Sequence, residues 1–62
     1  MNEFTILYGT KYLRNRKIIN CDLENAIYEV IKMKEKYNCV CLIDFMNNIV
    51  CEYINEDKKN EN

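Results

Sequence analysis

Histidine, tryptophan and proline are absent, and Gly9 is the single glycine in 62 residues. Without histidine there is no side chain whose ordinary pKa sits near neutrality to act as a general base, and no imidazole to bind a metal. One glycine cannot build a glycine-rich phosphate loop. Long apolar runs are missing too. The longest, Cys39 to Ile43, has five residues, against the roughly 18–20 needed to span a bilayer. The start, Met1-Asn2-Glu3-Phe4-Thr5, has neither the basic opening nor the apolar stretch of a secretory signal. These absences argue against an enzyme and against a membrane protein. They place the chain in the cytoplasm, where thiols stay reduced.

What remains is enough for one small domain. A core of this size seldom supplies more than about 3–5 kcal/mol of net stability, so help from a partner chain, a metal or a disulfide is the default expectation. Seven lysines, ten asparagines and eight isoleucines, with only two arginines, point to an AT-rich genome. In size and composition the chain resembles the short accessory proteins of phages and mobile elements.

Asp22 to Tyr37 (DLENAIYEVIKMKEKY) is the clearest element. Leu23, Ala26, Ile27, Val30 and Ile31 recur at helical spacing and predict an apolar stripe. The Asp22 carboxylate is placed to cap the first turn, Lys32, Lys34 and Lys36 suit the negative helix end, and Asn38 suits a left-handed stop.

Cys39 to Phe45 and Ile49 to Ile54 are β-rich runs around Met46-Asn47-Asn48, a hairpin with asparagines that tolerate positive φ. A three-residue loop pairs Phe45 with Ile49, Ile43 with Cys51 and Cys41 with Tyr53. One face then carries Cys39, Cys41, Ile43, Phe45, Ile49, Cys51 and Tyr53. Glu3 to Tyr8 reads as a strand and Gly9-Thr10 as a two-residue turn. A second strand between Lys11 and Cys21 ends in Lys17-Ile18-Ile19. The expected architecture is α+β: a ββαββ domain over residues 1–54, with a four-stranded, mostly antiparallel sheet and one helix on one face. Residues 55–62 are all polar and read as a disordered tail.

One helix covers one face. In this register the other displays Val40, Leu42, Val50 and Ile54, interrupted by Asp44 and Glu52. A surplus apolar face marks an association surface. Val40, Leu42, Val50 and Ile54 are therefore the expected homodimer contacts, or a groove for a target protein. The alternative is that strand ends and the tail fold back over them.

Lys11, Arg14, Arg16 and Lys17 put four cations in seven residues, beside Tyr8 and Tyr12. Tyrosine and arginine concentrate interface energy, which makes Tyr8, Tyr12, Arg14, Arg16 and Lys17 the partner-binding candidates. The same stretch suits a nucleic-acid backbone or a phosphorylated ligand, but the net charge of −1 is unlike the basic balance of most small nucleic-acid domains. A cation-guarded strand edge is the plainest alternative. Cys21, Cys39, Cys41 and Cys51 lack the C-x-x-C knuckles of a zinc site and read as small buried hydrophobes. Asp44 and Glu52 have no cleft in which to act as a catalytic pair, so no catalytic residue, metal or cofactor is expected.

The function that fits is a non-enzymatic protein-binding module, an inhibitor that docks on a host or defence protein and occludes it. The alternatives are a nucleic-acid-binding regulator using residues 11–17, and an oligomer that sequesters a small ligand such as a nucleotide.

Overall fold

The computed structural model describes residues 2–55. Strand β1 (Asn2–Gly9) is followed by β2 (Asn15–Cys21), helix α1 (Leu23–Met33), β3 (Cys39–Asp44) and β4 (Ile49–Ile54). All neighbouring strands pair antiparallel, in the order β2-β1-β3-β4. The ββαββ order and the α+β class are those expected. The tail expected over residues 55–62 lies, apart from Asn55, outside the described residues.

The pleat of β1 organises the sheet. Phe4, Ile6 and Tyr8 alternate with Thr5, Leu7 and Gly9, so each set lines one face. Phe4 stands beside Ile19 and Asp44, Ile6 beside Lys17 and Leu42, and Tyr8 beside Asn15 and Val40. This is the face under the helix. Phe4, Ile6, Val40 and Leu42 meet Ala26, Val30 and Met33 of α1 in one core. Ile6, Leu42, Val30 and Val40 are fully buried, at roughly 1.5–3 kcal/mol of transfer free energy each.

The phase of β3 is thus opposite to the expected one. Val40 and Leu42 point at the helix, while Cys39, Cys41 and Ile43 lie on the far side. The reason is that CVCLI is apolar on both faces, so hydropathy alone leaves its phase open. Pairing with β1 decides it, because Leu42 stands beside Ile6. The register of the last hairpin differs as well: Leu42 faces Cys51, Cys41 faces Glu52 and Ile43 faces Ile49. A bulge between Leu42 and Ile43 leaves Val50 as the extra residue, half-buried against the core.

The connection is also longer than expected. Residues 45–48 form it, and Asp44 holds it together: its Oδ1 accepts hydrogen bonds from the backbone N–H of Met46 (2.9 Å) and of Asn48 (2.8 Å). Asn47 takes the positive φ, 67°. Asn38, expected to be left-handed, is not.

The helix is shorter and rotated. It ends at Met33 and continues as turns through Lys36. Its buried positions are Ala26, Val30 and Met33, with Tyr37 packed against the same core, whereas Leu23 and Ile31 are exposed. Asp22 occupies the cap position, but its carboxylate accepts from the Asn25 amide rather than capping the backbone.

Between β1 and β2 the chain makes a five-residue turn, 10–14, in place of the expected two-residue one. Gly9 does not have positive φ. Its lack of a side chain matters for another reason: a Cβ there would collide with the Tyr12 carbonyl oxygen. The turn therefore lies directly on the sheet, on the face away from the helix. The Cys39 thiol, paired across from Gly9, reaches the Lys11 carbonyl at 3.4 Å.

Candidate functional site

The strand alternation that sends Phe4, Ile6, Val40 and Leu42 under the helix sends a second set of side chains to the opposite face. Ile18, Thr5, Ile43 and Ile49 form one row across all four strands, and Arg16, Leu7, Cys41 and Glu52 form the next. Below them Gly9 and Cys39 are covered by the 10–14 turn, with Ile54 beside Cys39 on β4. Among the described residues no helix packs here. Ile18 is 56% exposed, Ile49 63% and Ile54 50%; Leu7 and Ile43 are half-buried by their neighbours. The middle of the face is apolar. Arg16 on β2 and Glu52 on β4 stand at its two sides, Glu3 of β1, paired across from Asn20, stands exposed at one end, and the 10–14 turn with Lys11 and Arg14 lies at the other. Arg16, Glu52 and Glu3 have no ion-pair partner among the described residues.

The structure distributes the sequence-derived partner-binding residues over three places. Tyr8 is half-buried on the helix side, its ring 4.7 Å from that of Tyr37, and so belongs to the core margin. Lys17 is also on the helix side, where its Nζ lies 2.9 Å from Glu29 Oε2. Glu29 holds Lys32 as well, at 3.4 Å. The hydrogen bond and the charge of Lys17 hold the Glu29 carboxyl below its ordinary range, and the same contact raises the Lys17 pKa. Tyr12 and Arg14 stand in the turn. The Tyr12 ring is 59% exposed, with the Arg14 guanidinium 5.8 Å and the Lys11 ammonium 5.9 Å from its centre. Arg16 alone is on the open face. The basic stretch is therefore not one patch, because alternation along β2 turns Arg16 and Lys17 to opposite sides of the sheet.

The expected dimer contacts need correction. Val40 and Leu42 are fully buried under α1 and out of reach of a partner, and Val50 is half-buried against the core on the helix side. Of the four, only Ile54 lies on the open face. The residues that do form that face, Ile18, Leu7, Ile43 and Ile49, follow from the alternation of their strands. One signal was available in the sequence: adjacent isoleucines, Ile18 and Ile19, must point to opposite faces of any strand that contains both.

The cysteines are four free thiols. Cys39 and Cys41 are buried; Cys21 and Cys51 are half-buried on the helix side. Burial pushes the Cys41 and Cys51 thiols up, and the nearby Glu52 charge adds to the effect at Cys41, which disfavours the reactive thiolate. Among the described residues no group of three or more histidine, cysteine or acidic side chains is arranged to hold a metal. Asp44 is engaged in its turn, so it does not pair with Glu52.

Shallow clefts mark the surface of the described residues, three of them lined as follows. One, of about 290 Å³, lies between Tyr8, Lys17, Glu29, Lys32, Lys36 and Tyr37, with Glu29 neutralising part of its positive charge. A second of about 290 Å³ is bounded by Phe4, Leu23, Phe45 and Val50. The third, about 260 Å³, lies between Tyr37 and Tyr53. Each falls at or under the smallest volumes typical of small-molecule pockets. Among the described residues no helix is long and apolar enough to cross a membrane. No protein-family model, curated protein sequence or solved structure matches the chain.

Proposed function

We propose that the chain is a small, non-enzymatic protein-binding module that acts in the cytoplasm as a homodimer and inhibits a host or defence protein of the cell that carries a phage or mobile element, by covering a surface that the target needs. The observation that carries this reading is the uncovered sheet face. A half-apolar face crossing all four strands is unusual for an antiparallel sheet with one side in water, where the exposed side is ordinarily polar. The Tyr12–Arg14 turn at the end of that face supplies the contact with the target. Its tyrosine is large and exposed, two cations stand over the ring, and the close approach of Tyr12 to Gly9 ties the turn to the sheet. Rigid, exposed tyrosine and arginine side chains are the usual carriers of interface energy.

Affinity capture from a bacterial lysate, with the tagged chain beside its Tyr12→Ala, Arg14→Ala variant, tests the reading. The expected result is a protein retained in near-equal amount by the parent chain and lost from the variant, with both melting at the same temperature. Retention of nucleic acid, released by raising the salt, or co-purification of a nucleotide would replace this function with the regulatory or ligand-sequestering one. The separation of Arg16 from Lys17, and the pairing of Lys17 with Glu29, weigh against both.

A further inference from the structure

We infer that the outer edge of β2 is the docking site for an extended, acidic segment of the target protein, which adds to the sheet as a further strand antiparallel to β2. The inference rests on the protein-binding function proposed above and adds the surface, the backbone geometry and the charge of the partner.

The hydrogen-bond phase of the sheet fixes which groups of β2 are free. The Asp44 N–H donates to the Asn48 carbonyl (3.0 Å) and the Asn55 N–H to the Asn38 carbonyl (2.8 Å), so the even-numbered residues of β3 turn their backbone groups to β4. Antiparallel pairing alternates sides along each strand. Cys39, Cys41 and Ile43 therefore bond to β1, and Phe4, Ile6 and Tyr8 of β1 bond to Ile19, Lys17 and Asn15 of β2. The Asn15 side-chain amide, which donates to the Tyr8 carbonyl at 3.3 Å, agrees with this phase. The backbone N–H and C=O groups of Arg16, Ile18 and Asn20 then point outward and meet no strand among the described residues. Another extended backbone is what satisfies such groups.

The two edges of the sheet are not equivalent. The β4 edge is interrupted by the bulge at Val50, beyond which only Glu52 and Ile54 face outward, and it carries an anion. Strand β2 is seven residues long, pairs with β1 without a register shift and contains no proline. Its lysine does not guard it, because Lys17 lies on the helix face and is held by Glu29.

Charge selects the partner. From Tyr8 to Cys21 the chain carries Lys11, Arg14, Arg16 and Lys17 and no acid. Lys17 and Lys32 share Glu29 on the helix face, whereas Arg16 and Arg14 are exposed and have no ion-pair partner among the described residues. The nearest acids stand at the other end of the strand: Glu3 across from Asn20, and Asp22 just past Cys21. An antiparallel segment therefore gains most from an apolar residue beside Ile18, followed two and four residues later by acids beside Arg16 and Arg14. A second copy fits less well. With both β2 edges in full overlap, Arg16 faces the uncharged Asn20 of that copy, and Arg14 meets Asp22, whose carboxylate already accepts from the Asn25 amide. The exposed Tyr12 ring, 5.8 Å from the Arg14 guanidinium, extends the surface past the strand end.

Amide hydrogen exchange followed by NMR on the full chain, alone and with the capped peptide Thr-Val-Ile-Thr-Glu-Thr-Glu, tests the site. In the dilute free chain the amides of Arg16, Ile18 and Asn20 should exchange about tenfold faster than those of Lys17 and Ile19, or faster still. Saturating peptide should slow all three and leave Glu52 and Ile54 of the other edge unchanged. Replacing both glutamates of the peptide by lysine, or Arg16→Glu in the chain, should weaken binding about tenfold or more. Ile18→Pro removes the outward N–H while sparing the bonds to β1, and should abolish the peptide effect with Lys17 and Ile19 still protected; Arg16→Glu keeps the test decisive if the proline variant does not fold. Protection of Arg16, Ile18 and Asn20 in the free chain, or unweakened binding of the lysine peptide, overturns the site. A target captured by the parent chain, lost from the Tyr12→Ala, Arg14→Ala variant but retained by Arg16→Glu and Ile18→Pro, overturns strand addition and leaves the protein-binding function standing. A chain that takes up the peptide as described but retains no protein supports the site and overturns the inhibitor function.

Discussion

The two faces of the sheet carry similar kinds of side chain and meet different surroundings. On one, Phe4, Ile6, Val40 and Leu42 lie against Ala26, Val30 and Met33, and every one of these residues is less than a tenth exposed. On the other, Ile18, Ile43, Ile49 and Leu7 stand beside Thr5, Cys41 and Arg16 with no helix over them among the described residues. Among the described residues there is one helix, and it packs on the first face alone. The difference teaches that hydropathy marks which residues avoid water, whereas the order of elements decides what can cover them.

The comparison can be broken most decisively at its covered side. Leu42→Ala removes buried volume between β3 and the helix and should cost about 2–5 kcal/mol, enough to unfold much of so small a domain. Ile18→Ala on the open face should change the stability of the dilute chain by only about 0.5 kcal/mol. Urea unfolding of both variants at low protein concentration measures the contrast; equal losses would mean that the open face also holds the fold together.

A smaller effect is expected where the helix is tied to the edge of the sheet. The Lys17–Glu29 contact joins β2 to α1 at the surface, and Lys17→Ala should cost no more than about 1 kcal/mol at neutral pH. Glu29 has a folded pKa below its ordinary value, so its stabilisation is fully present above that ordinary value and fades as the pH falls through the lower, folded one. Lys17 is shifted up, and its share is lost only as the pH rises through its raised value. Parent and Lys17→Ala chains should therefore converge in melting temperature in acid. A difference that persists there would assign the loss to packing of the lysine stem instead of to charge.

The helix and the ββαββ order were legible because they rest on periodicity: the spacing from Leu23 to Ile31 is helical, and the β-rich runs flank asparagine and glycine. What periodicity did not carry was phase. Cys39 to Ile43 alternates one apolar residue with another, so the choice between Val40/Leu42 and Cys39/Cys41 for the helix side depended on pairing with β1, a contact distant in sequence. The bulge that turns Val50 inward is likewise a property of two strands together. The helix stripe was displaced for a similar reason, since Met33 and Tyr37 reach the core while Leu23 and Ile31 stay at the margin. The existence of a surplus apolar face was readable from one helix and four strands. Which residues made it was not, apart from Ile54. Of the cationic candidates, only Arg16 shares that face, because a strand sends consecutive residues to opposite sides.

The most direct test of the division between the two faces is the solution mass of a chain carrying Ile18→Asp and Ile49→Asp, measured by sedimentation equilibrium beside the parent. The account predicts twice the 7.5 kDa chain mass for the concentrated parent and the single-chain mass for the variant, with the variant still folded. A variant that keeps the parent's mass, or a parent that shows only the single-chain mass at every concentration, would contradict it.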